Sequence, residues 1–132
     1  MSAERTPRGT ISLSTPARGE YVHVLRSVTA GVGATLDFSI DDIEDLRLAV
    51  DEACAHLLKL DPRAAVLRLI VEPGDDAGLT ITVGITSLTP NGEAPATDQF
   101  LTWHILAALT DGAEAIRDDE GPAIRFIKRK TS

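Results

Sequence analysis

The 132-residue sequence lacks three features that would each have indicated a broad class of protein. It has one cysteine, Cys54, so it can form no internal disulfide and has no paired-cysteine zinc pattern. No apolar run approaches the roughly 18 residues that a membrane-spanning helix needs. The chain has no excess of basic residues, with 13 lysines and arginines against 20 aspartates and glutamates. Binding to nucleic-acid phosphates needs clustered basic side chains. We therefore expect neither a membrane protein nor a general nucleic-acid-binding protein.

The composition that remains is typical of a globular protein. Hydrophobic residues make up 43% and charged residues 25% of the chain, with a formal charge of −7. A chain of this length can bury an ordinary hydrophobic core, but it is too short for two domains. Residues 1–8 are polar and lack the apolar stretch of a secretory signal. We expect a loose tail over residues 1–8, a single domain over residues 9–130 and a cytoplasmic location.

Two helices are predicted in the first half of the chain. Apolar residues recur at helical spacing over residues 17–32, and Gly31 and Gly33 are expected to end that helix. The second helix is predicted to begin after Ser39, a residue type that caps helix N-termini, and to end at residues 61–62, Asp-Pro. Acidic residues in its first turns would complement the helix dipole.

The remaining elements are five short strands and a third helix. That helix is apolar nearly all round, so we expect it to be buried against a sheet with Trp103 partly accessible. Turn signals between the later strands indicate hairpins, and therefore a largely antiparallel sheet with its helices on one face, an α/β two-layer sandwich. The predicted strands span residues 10–13, 65–71, 79–85, 113–117 and 123–128, and the predicted third helix spans residues 98–110, after a loop over residues 86–97.

A family resemblance rests on the second helix. Residues 45–56 read Asp-Leu-Arg-Leu-Ala-Val-Asp-Glu-Ala-Cys-Ala-His, and the element order around them resembles that of RsbW- and SpoIIAB-type anti-sigma factors. The third helix, with Phe100, Leu101, Trp103 and His104, is similar to that of actinobacterial RsbW proteins. The resemblance covers residues 10–128 and implies the Bergerat fold of the histidine-kinase-like (GHKL) ATPases.

The resemblance also implies a site for ATP and Mg²⁺, but this chain departs from the family pattern there. Glu52 stands at the general-base position, His56 replaces a magnesium-ligating asparagine, and Ile85 replaces the aspartate that binds adenine. The third helix is entered through residues 97–100, Thr-Asp-Gln-Phe, instead of a glycine-rich turn, and Asp98 would repel phosphate. Magnesium prefers hard oxygen ligands over imidazole. We therefore expect ATP binding and kinase activity to be weak or lost.

The function that the resemblance implies is that of an anti-sigma factor. Such a protein sequesters an alternative sigma factor of the sigma-B/sigma-F class and is released by an anti-anti-sigma protein with a STAS domain. Relatives form dimers, and residues 10–32 are the predicted self-contact. Two alternatives stay open: an active ATP-dependent serine kinase that acts on the anti-anti-sigma factor, and a stand-alone module that binds another regulator.

Several residues also have simpler structural interpretations. Glu52 and His56 could be an ordinary i,i+4 pair on a solvated helix face. Cys54 lies in an apolar stripe and is most simply a core residue. The histidines occur on three different predicted helices, without the spacing of metal ligands, so we expect no metal site.

Charge clusters likewise have two interpretations each. The acidic residues between Asp41 and Glu52 either offset the helix dipole and keep the surface soluble, or meet basic residues of a partner. The basic residues near the C-terminus are expected to keep an edge strand soluble. These basic residues are Arg125, Lys128, Arg129 and Lys130.

Overall fold

The computed structural model describes residues 9–74, 77–87 and 100–131. The predicted tail over residues 1–8 and most of the predicted loop over residues 86–97 lie outside these ranges, as does Asp98. In the described part of the chain no helix is long and apolar enough to span a membrane. The elements are β1 (Ile11–Pro16), α1 (Val22–Thr35), α2 (Ile40–Leu60), β2 (Val66–Pro73), β3 (Gly78–Thr86), α3 (Phe100–Leu109), β4 (Gly112–Asp118) and β5 (Gly121–Arg129), with a 3₁₀ turn (Gly19–Tyr21) before α1.

The five strands form one sheet in the order β1-β2-β3-β5-β4, and every neighbouring pair is antiparallel. Leu69 of β2 pairs with Val83 of β3, which in turn pairs with Ile124 of β5. The predicted antiparallel sheet is confirmed. Its edges are β1 and β4, so β5 is an interior strand.

The core lies between the sheet and the helices. Because strand side chains alternate between faces, every second residue of the central strands points toward the helices. These residues pack against Leu25 of α1, Leu46 and Leu57 of α2, and Leu106 of α3. The buried strand residues in this cluster are Leu67, Leu69, Val71, Leu79, Ile81, Val83, Ile85, Ile124 and Phe126. The fold is the predicted two-layer sandwich.

Helix α1 runs through both glycines that were expected to end it. It continues to Thr35, and Gly33 is buried against α2. A Cβ at Gly33 would stand 3.2 Å from Cγ1 of Ile43, so the missing side chain lets the two helices approach closely. The prediction was wrong because helix packing outweighs the entropic cost of glycine within a helix, about 1 kcal/mol.

Helix α2 begins as predicted. The Ser39 hydroxyl accepts a hydrogen bond from the backbone N–H of Asp42 at 3.1 Å, which satisfies one of the unpaired donors of the first turn. At the other end, Asp61 donates its backbone N–H to Leu57 O. Cys54 is fully buried in the core, as predicted, and burial raises the pKa of its thiol to about 12.

The prediction for helix α3 was wrong in one respect. Thr102 and Leu106 are buried and Trp103 is half-buried, but Leu101 is 70% exposed and Ala107 and Ala108 are also exposed. The helix packs mainly against α2 and β4, so it buries only one side. An apolar composition alone does not reveal whether neighbours cover one face of a helix or all of them.

The basic residues near the C-terminus do not form a solvated tail beside an edge strand. Arg125, Lys128 and Arg129 belong to the interior strand β5, and Lys128 is buried against the helices. Arg125 is exposed and faces Glu114 of the neighbouring strand at 3.6 Å. The predicted role failed because the strand order places β5 between β3 and β4.

Candidate functional site

The candidate site lies where α3 packs on α2. Residues three or four apart share a helix face, so Asp45, Ala49, Glu52 and His56 form one stripe along α2. One of the two interpretations of Glu52 and His56 is a pair on a solvated face, and for His56 that interpretation is wrong: the residue is only 7% exposed. Helix α3 covers the stripe, which only the packing of the two helices could reveal.

Glu52 is bound to α3 through a hydrogen bond. The Thr102 hydroxyl donates to Oε2 of Glu52 at 2.9 Å. Thr102 is buried and Glu52 is half-buried, so the bond forms in a partly desolvated setting where a hydrogen bond to a charged group is stronger than one between neutral groups. A carboxylate at the general-base position is therefore oriented by the neighbouring helix.

His56 packs against Trp103, one residue further along α3. The two ring centroids are 6.2 Å apart and the ring planes cross at 67°, an edge-to-face arrangement. The imidazole at the predicted magnesium position thus forms part of the contact between two helices.

Ile85 has a different environment. Its side chain is fully buried in the hydrophobic core near the end of β3. Its backbone oxygen accepts a hydrogen bond from the Arg68 guanidinium at 3.4 Å. The structure therefore brings Glu52 and His56 together with Thr102 and Trp103, and assigns Ile85 to the core.

The chemistry of these side chains does not fit ATP with Mg²⁺. Magnesium favours carboxylate, carbonyl and water oxygens, whereas position 56 offers an imidazole held against an indole ring. Position 85 offers an aliphatic side chain with no acceptor for an adenine amino group. Among the described residues no group of three or more histidine, cysteine or acidic side chains could hold a metal ion.

Two buried polar residues were missed by the sequence interpretation, Thr102 in this site and Arg68 on the opposite face of the sheet. Thr102 is a polar side chain within the apolar segment Phe-Leu-Thr-Trp, and Arg68 interrupts the apolar strand Val66–Pro73. Buried polar side chains are normally hydrogen-bonded, so a polar residue in an apolar run indicates an undetected partner. The pattern could have identified both residues, but not the partners that they bind.

The acidic residues of α2 are partly paired within the molecule. Asp45 lies 3.0 Å from Lys128 Nζ, and Asp51 accepts a hydrogen bond from Arg26 of α1 at 2.7 Å. Asp42 is buried near the same lysine. These three carboxylates bind neighbouring elements, a role that neither sequence interpretation included.

Comparisons with known proteins agree with the fold. No family model matches the chain. The chain is 32% identical over 114 residues to a protein named anti-sigma-F factor RsbW from Mycobacterium tuberculosis. The aligned region covers 86% of this chain and 66% of that protein. The chain is 41% identical over 49 residues to a protein named serine-protein kinase RsbW from Bacillus thuringiensis, covering 37% of this chain and 31% of that protein. The chain therefore spans just under two thirds of the first relative and about a third of the second.

A solved structure shows the same fold. The crystal structure of the RsbU and RsbW domains of a Mycobacterium tuberculosis protein matches with a TM-score of 0.71 at 12% sequence identity. The match covers 94% of this chain and 33% of that one. Together with the similarity to the mycobacterial relative over 86% of this chain, the GHKL-like sandwich shows that the chain is of the RsbW type.

Proposed function

We propose that this protein is an anti-sigma factor that sequesters an alternative sigma factor of the sigma-B/sigma-F class in the cytoplasm. The observation that carries the proposal is the similarity to a protein named anti-sigma-F factor across 86% of the chain. Binding would cover the sigma surfaces that engage core RNA polymerase, so transcription of a stress or developmental regulon would stay off. Release would follow competition from a STAS-domain anti-anti-sigma protein, at a level set by relative affinities and concentrations.

We also propose that the nucleotide site is degenerate. His56 is packed against Trp103, Glu52 accepts a hydrogen bond from Thr102, and Ile85 is buried in the core. Each of these contacts supports a structural use of a position where the family has a nucleotide-binding group. The mechanism would then be stoichiometric binding, without phosphorylation of the antagonist.

A homodimer through residues 10–32 is part of the proposal. Strand β1 is an edge of the sheet, and its first residue, Ile11, is one of the exposed large hydrophobic residues. Beside it, a groove of about 490 Å³ is lined largely by apolar residues, including Ile11 itself, Val28 and Val32 of α1, and Leu36 directly after α1. An apolar groove next to an unpaired strand edge is suited to contact with a second copy.

The second candidate function is that of an active serine kinase. It is favoured by the similarity of 49 residues to a protein named serine-protein kinase RsbW. A kinase must bind ATP, whereas the proposed sequestering protein needs none, so nucleotide binding separates the two functions.

Two titrations of the full chain test the proposal. Isothermal titration against each alternative sigma factor of the same genome should reveal one stoichiometric complex, and failure with all of them would contradict the anti-sigma function. Titration with ATP and Mg²⁺ should yield no micromolar binding. Binding of that strength that disappears in Glu52→Gln would establish a working nucleotide site and support the kinase instead.

A further inference from the structure

Two adjacent residues near the N-terminal end of α3 contact α2. Thr102 donates a hydrogen bond to Glu52, and Trp103 packs its ring against His56. Glu52 and His56 are one helical turn apart, so the contact spans a full turn of α2. Both α2 residues occupy positions at which the family binds nucleotide.

The C-terminal end of α3 is linked to α2 by Lys128, a residue of the sheet strand β5. Lys128 Nζ donates to Asp45 Oδ2 of α2 at 3.0 Å and to the Leu109 backbone oxygen of α3 at 3.0 Å. It also lies 3.7 Å from Asp42 Oδ1. A carbonyl in the last turn of a helix has no partner within that helix, and a cation there is favoured by the helix dipole. One ammonium group thus joins α2, α3 and β5.

The two contacts, Glu52 with Thr102 and Lys128 with Asp45 and Leu109, are equally far apart along the two helices. Glu52 lies seven residues after Asp45 on α2, and Leu109 lies seven residues after Thr102 on α3. Seven residues of α-helix span about 10 Å. Glu52 meets Thr102 and Asp45 lies beside Leu109, so the helices run in opposite directions and both contacts form at once.

We propose that Glu52 and His56, together with Lys128, are docking residues that hold α3 on α2 without any nucleotide. On this proposal, positions 52 and 56 do not suit ATP with Mg²⁺ because their side chains hold α3 instead. The inference rests on the proposed degenerate site and adds a specific role for the residues that remain there. It assigns a positioning function to Thr102, which supplies the α3 side of the contact.

Amide hydrogen exchange of the full-length protein tests this role. Thr102→Val and Glu52→Gln should each raise the exchange rates of the amides of residues 103–109 about tenfold, because each weakens a hydrogen bond to a charged group. The double variant should exchange no faster than the faster single variant, since both changes remove one interaction. Thr102→Ser, which keeps the hydroxyl, should restore the exchange rates to within about twofold of wild type.

Matched controls separate docking from general loss of stability. Thr35→Val removes a hydroxyl that bonds within α1, so it should leave α3 exchange unchanged. Lys128→Met should raise exchange of α3 more than exchange of α1, whereas Arg125→Met, at an exposed residue of the same strand, should raise neither. Additive effects of Thr102→Val and Glu52→Gln, or unchanged exchange in both, would overturn the proposal.

Nucleotide provides an independent readout. Adding ATP and Mg²⁺ to the wild-type protein should leave α3 exchange and Trp103 fluorescence unchanged. A tenfold slowing of α3 exchange by nucleotide would show that docking depends on the ligand and would contradict the inference. Sigma-factor binding is measured separately: its absence would contradict the anti-sigma function alone, whereas uncoupled Thr102 and Glu52 would contradict the docking role alone.

Discussion

Two buried cations lie on opposite faces of the same sheet and differ in what surrounds them. Lys128 of β5 faces the helices and contacts Asp45 at 3.0 Å and Asp42 at 3.7 Å, whose side chains are 36% and 4% exposed. Arg68 of β2 faces the opposite side and contacts Asp118 and Glu120, whose side chains are 41% and 61% exposed. The lysine and arginine side chains are themselves 10% and 8% exposed. The two cations are thus equally buried, but only Lys128 has a carboxylate partner, Asp42, that is shielded from water.

Lys128 belongs to a closed network. Asp42 also accepts hydrogen bonds from the Thr131 backbone N–H at 3.0 Å and the Thr131 hydroxyl at 2.9 Å. The start of α2, the end of α3 and the C-terminal segment meet at this point. Removing the lysine would leave Asp42 buried beside Asp45 without the cation.

Arg68 instead reaches across the sheet. Its Nη1 and Nη2 each lie 3.3 Å from a carboxylate oxygen of Asp118, in the bidentate arrangement that suits a guanidinium. The path crosses Gly84, where a Cβ would stand 2.5 Å from Nη2. If the arginine were removed, Asp118 could be hydrated in its place. Access of water to the partner carboxylates thus sets how much each cation matters for stability.

The largest expected effect is that of Lys128→Met. It should lower the free energy of unfolding by about 3–5 kcal/mol, because a buried carboxylate loses its partner. Urea unfolding measures the change. Arg125→Met, which breaks an exposed pair between β5 and Glu114 of β4, should cost no more than about 1 kcal/mol. Equal losses in the two variants would remove the distinction between the buried and exposed cations of β5.

Smaller losses are expected on the opposite face. Arg68→Met should cost about 1–2 kcal/mol, since its partners remain accessible to water. Gly84→Ala should cost a similar amount by displacing the guanidinium, and should cost little when added to Arg68→Met. A double-mutant cycle by urea unfolding checks this. Gly112→Ala is the control, because nothing lies within 4 Å of a Cβ there.

Acid should weaken both networks. Burial opposes ionisation of Asp42, but hydrogen bonds from Thr131 and the charge of Lys128 outweigh it, so the pKa of Asp42 lies below 3.8. Burial also opposes ionisation of Asp118. Hydrogen bonds from the Glu120 and Gly121 backbone N–H groups, together with Arg68, outweigh it and lower the pKa of Asp118. A carboxyl with a lowered pKa stabilises the fold above its unfolded pKa and loses that contribution as pH falls through the folded pKa.

Unfolding measured between about pH 5 and pH 2 should therefore show stability falling as the pH drops below about 4. Asp42→Asn should flatten this slope more than Asp118→Asn, because its carboxylate is less accessible to water. If Asp118→Asn flattened the pH dependence more than Asp42→Asn, the carboxylate on the helix-covered face would not be the more important one, contrary to this prediction.

The smallest expected effect is at Cys54. Burial, together with the negative charge of Asp51, raises the pKa of its thiol to about 12, so almost no reactive thiolate exists at pH 8. Iodoacetamide should leave native wild-type protein unlabelled for hours, as followed by mass spectrometry. Labelling should become faster in Lys128→Met than in Arg68→Met, because only the former loosens the helix layer. The same rate in both variants would contradict this expectation.

Local signals in the sequence predicted most of the secondary structure. The N-cap at Ser39, the acidic first turn of α2 and the Asp-Pro stop at its end act over a few residues, and the structure bears out the element order. The end of α1 was predicted wrongly because Gly33 contacts Ile43, a residue that packs against it from another helix. Prediction succeeded where neighbours in sequence determine the conformation.

The candidate site was predicted only in part. The motif on α2 identified Glu52 and His56, but the interpretation of the two as a solvated pair omitted the helix that covers them. Thr102 and Trp103 lie about 50 residues further along the chain, beyond the reach of any periodic pattern. The role of Lys128 was missed for a similar reason, since only the strand order places it inside the molecule.

Hydrophobic periodicity, capping and turn residues thus determined the helices, the strands and the family resemblance, because these depend on interactions between residues close in sequence. Only the tertiary structure decided that α3 covers Glu52 and His56, that β5 is interior and that each buried cation has a carboxylate partner. These outcomes depend on which distant surfaces exclude water from one another, and no local stretch of sequence contains that information.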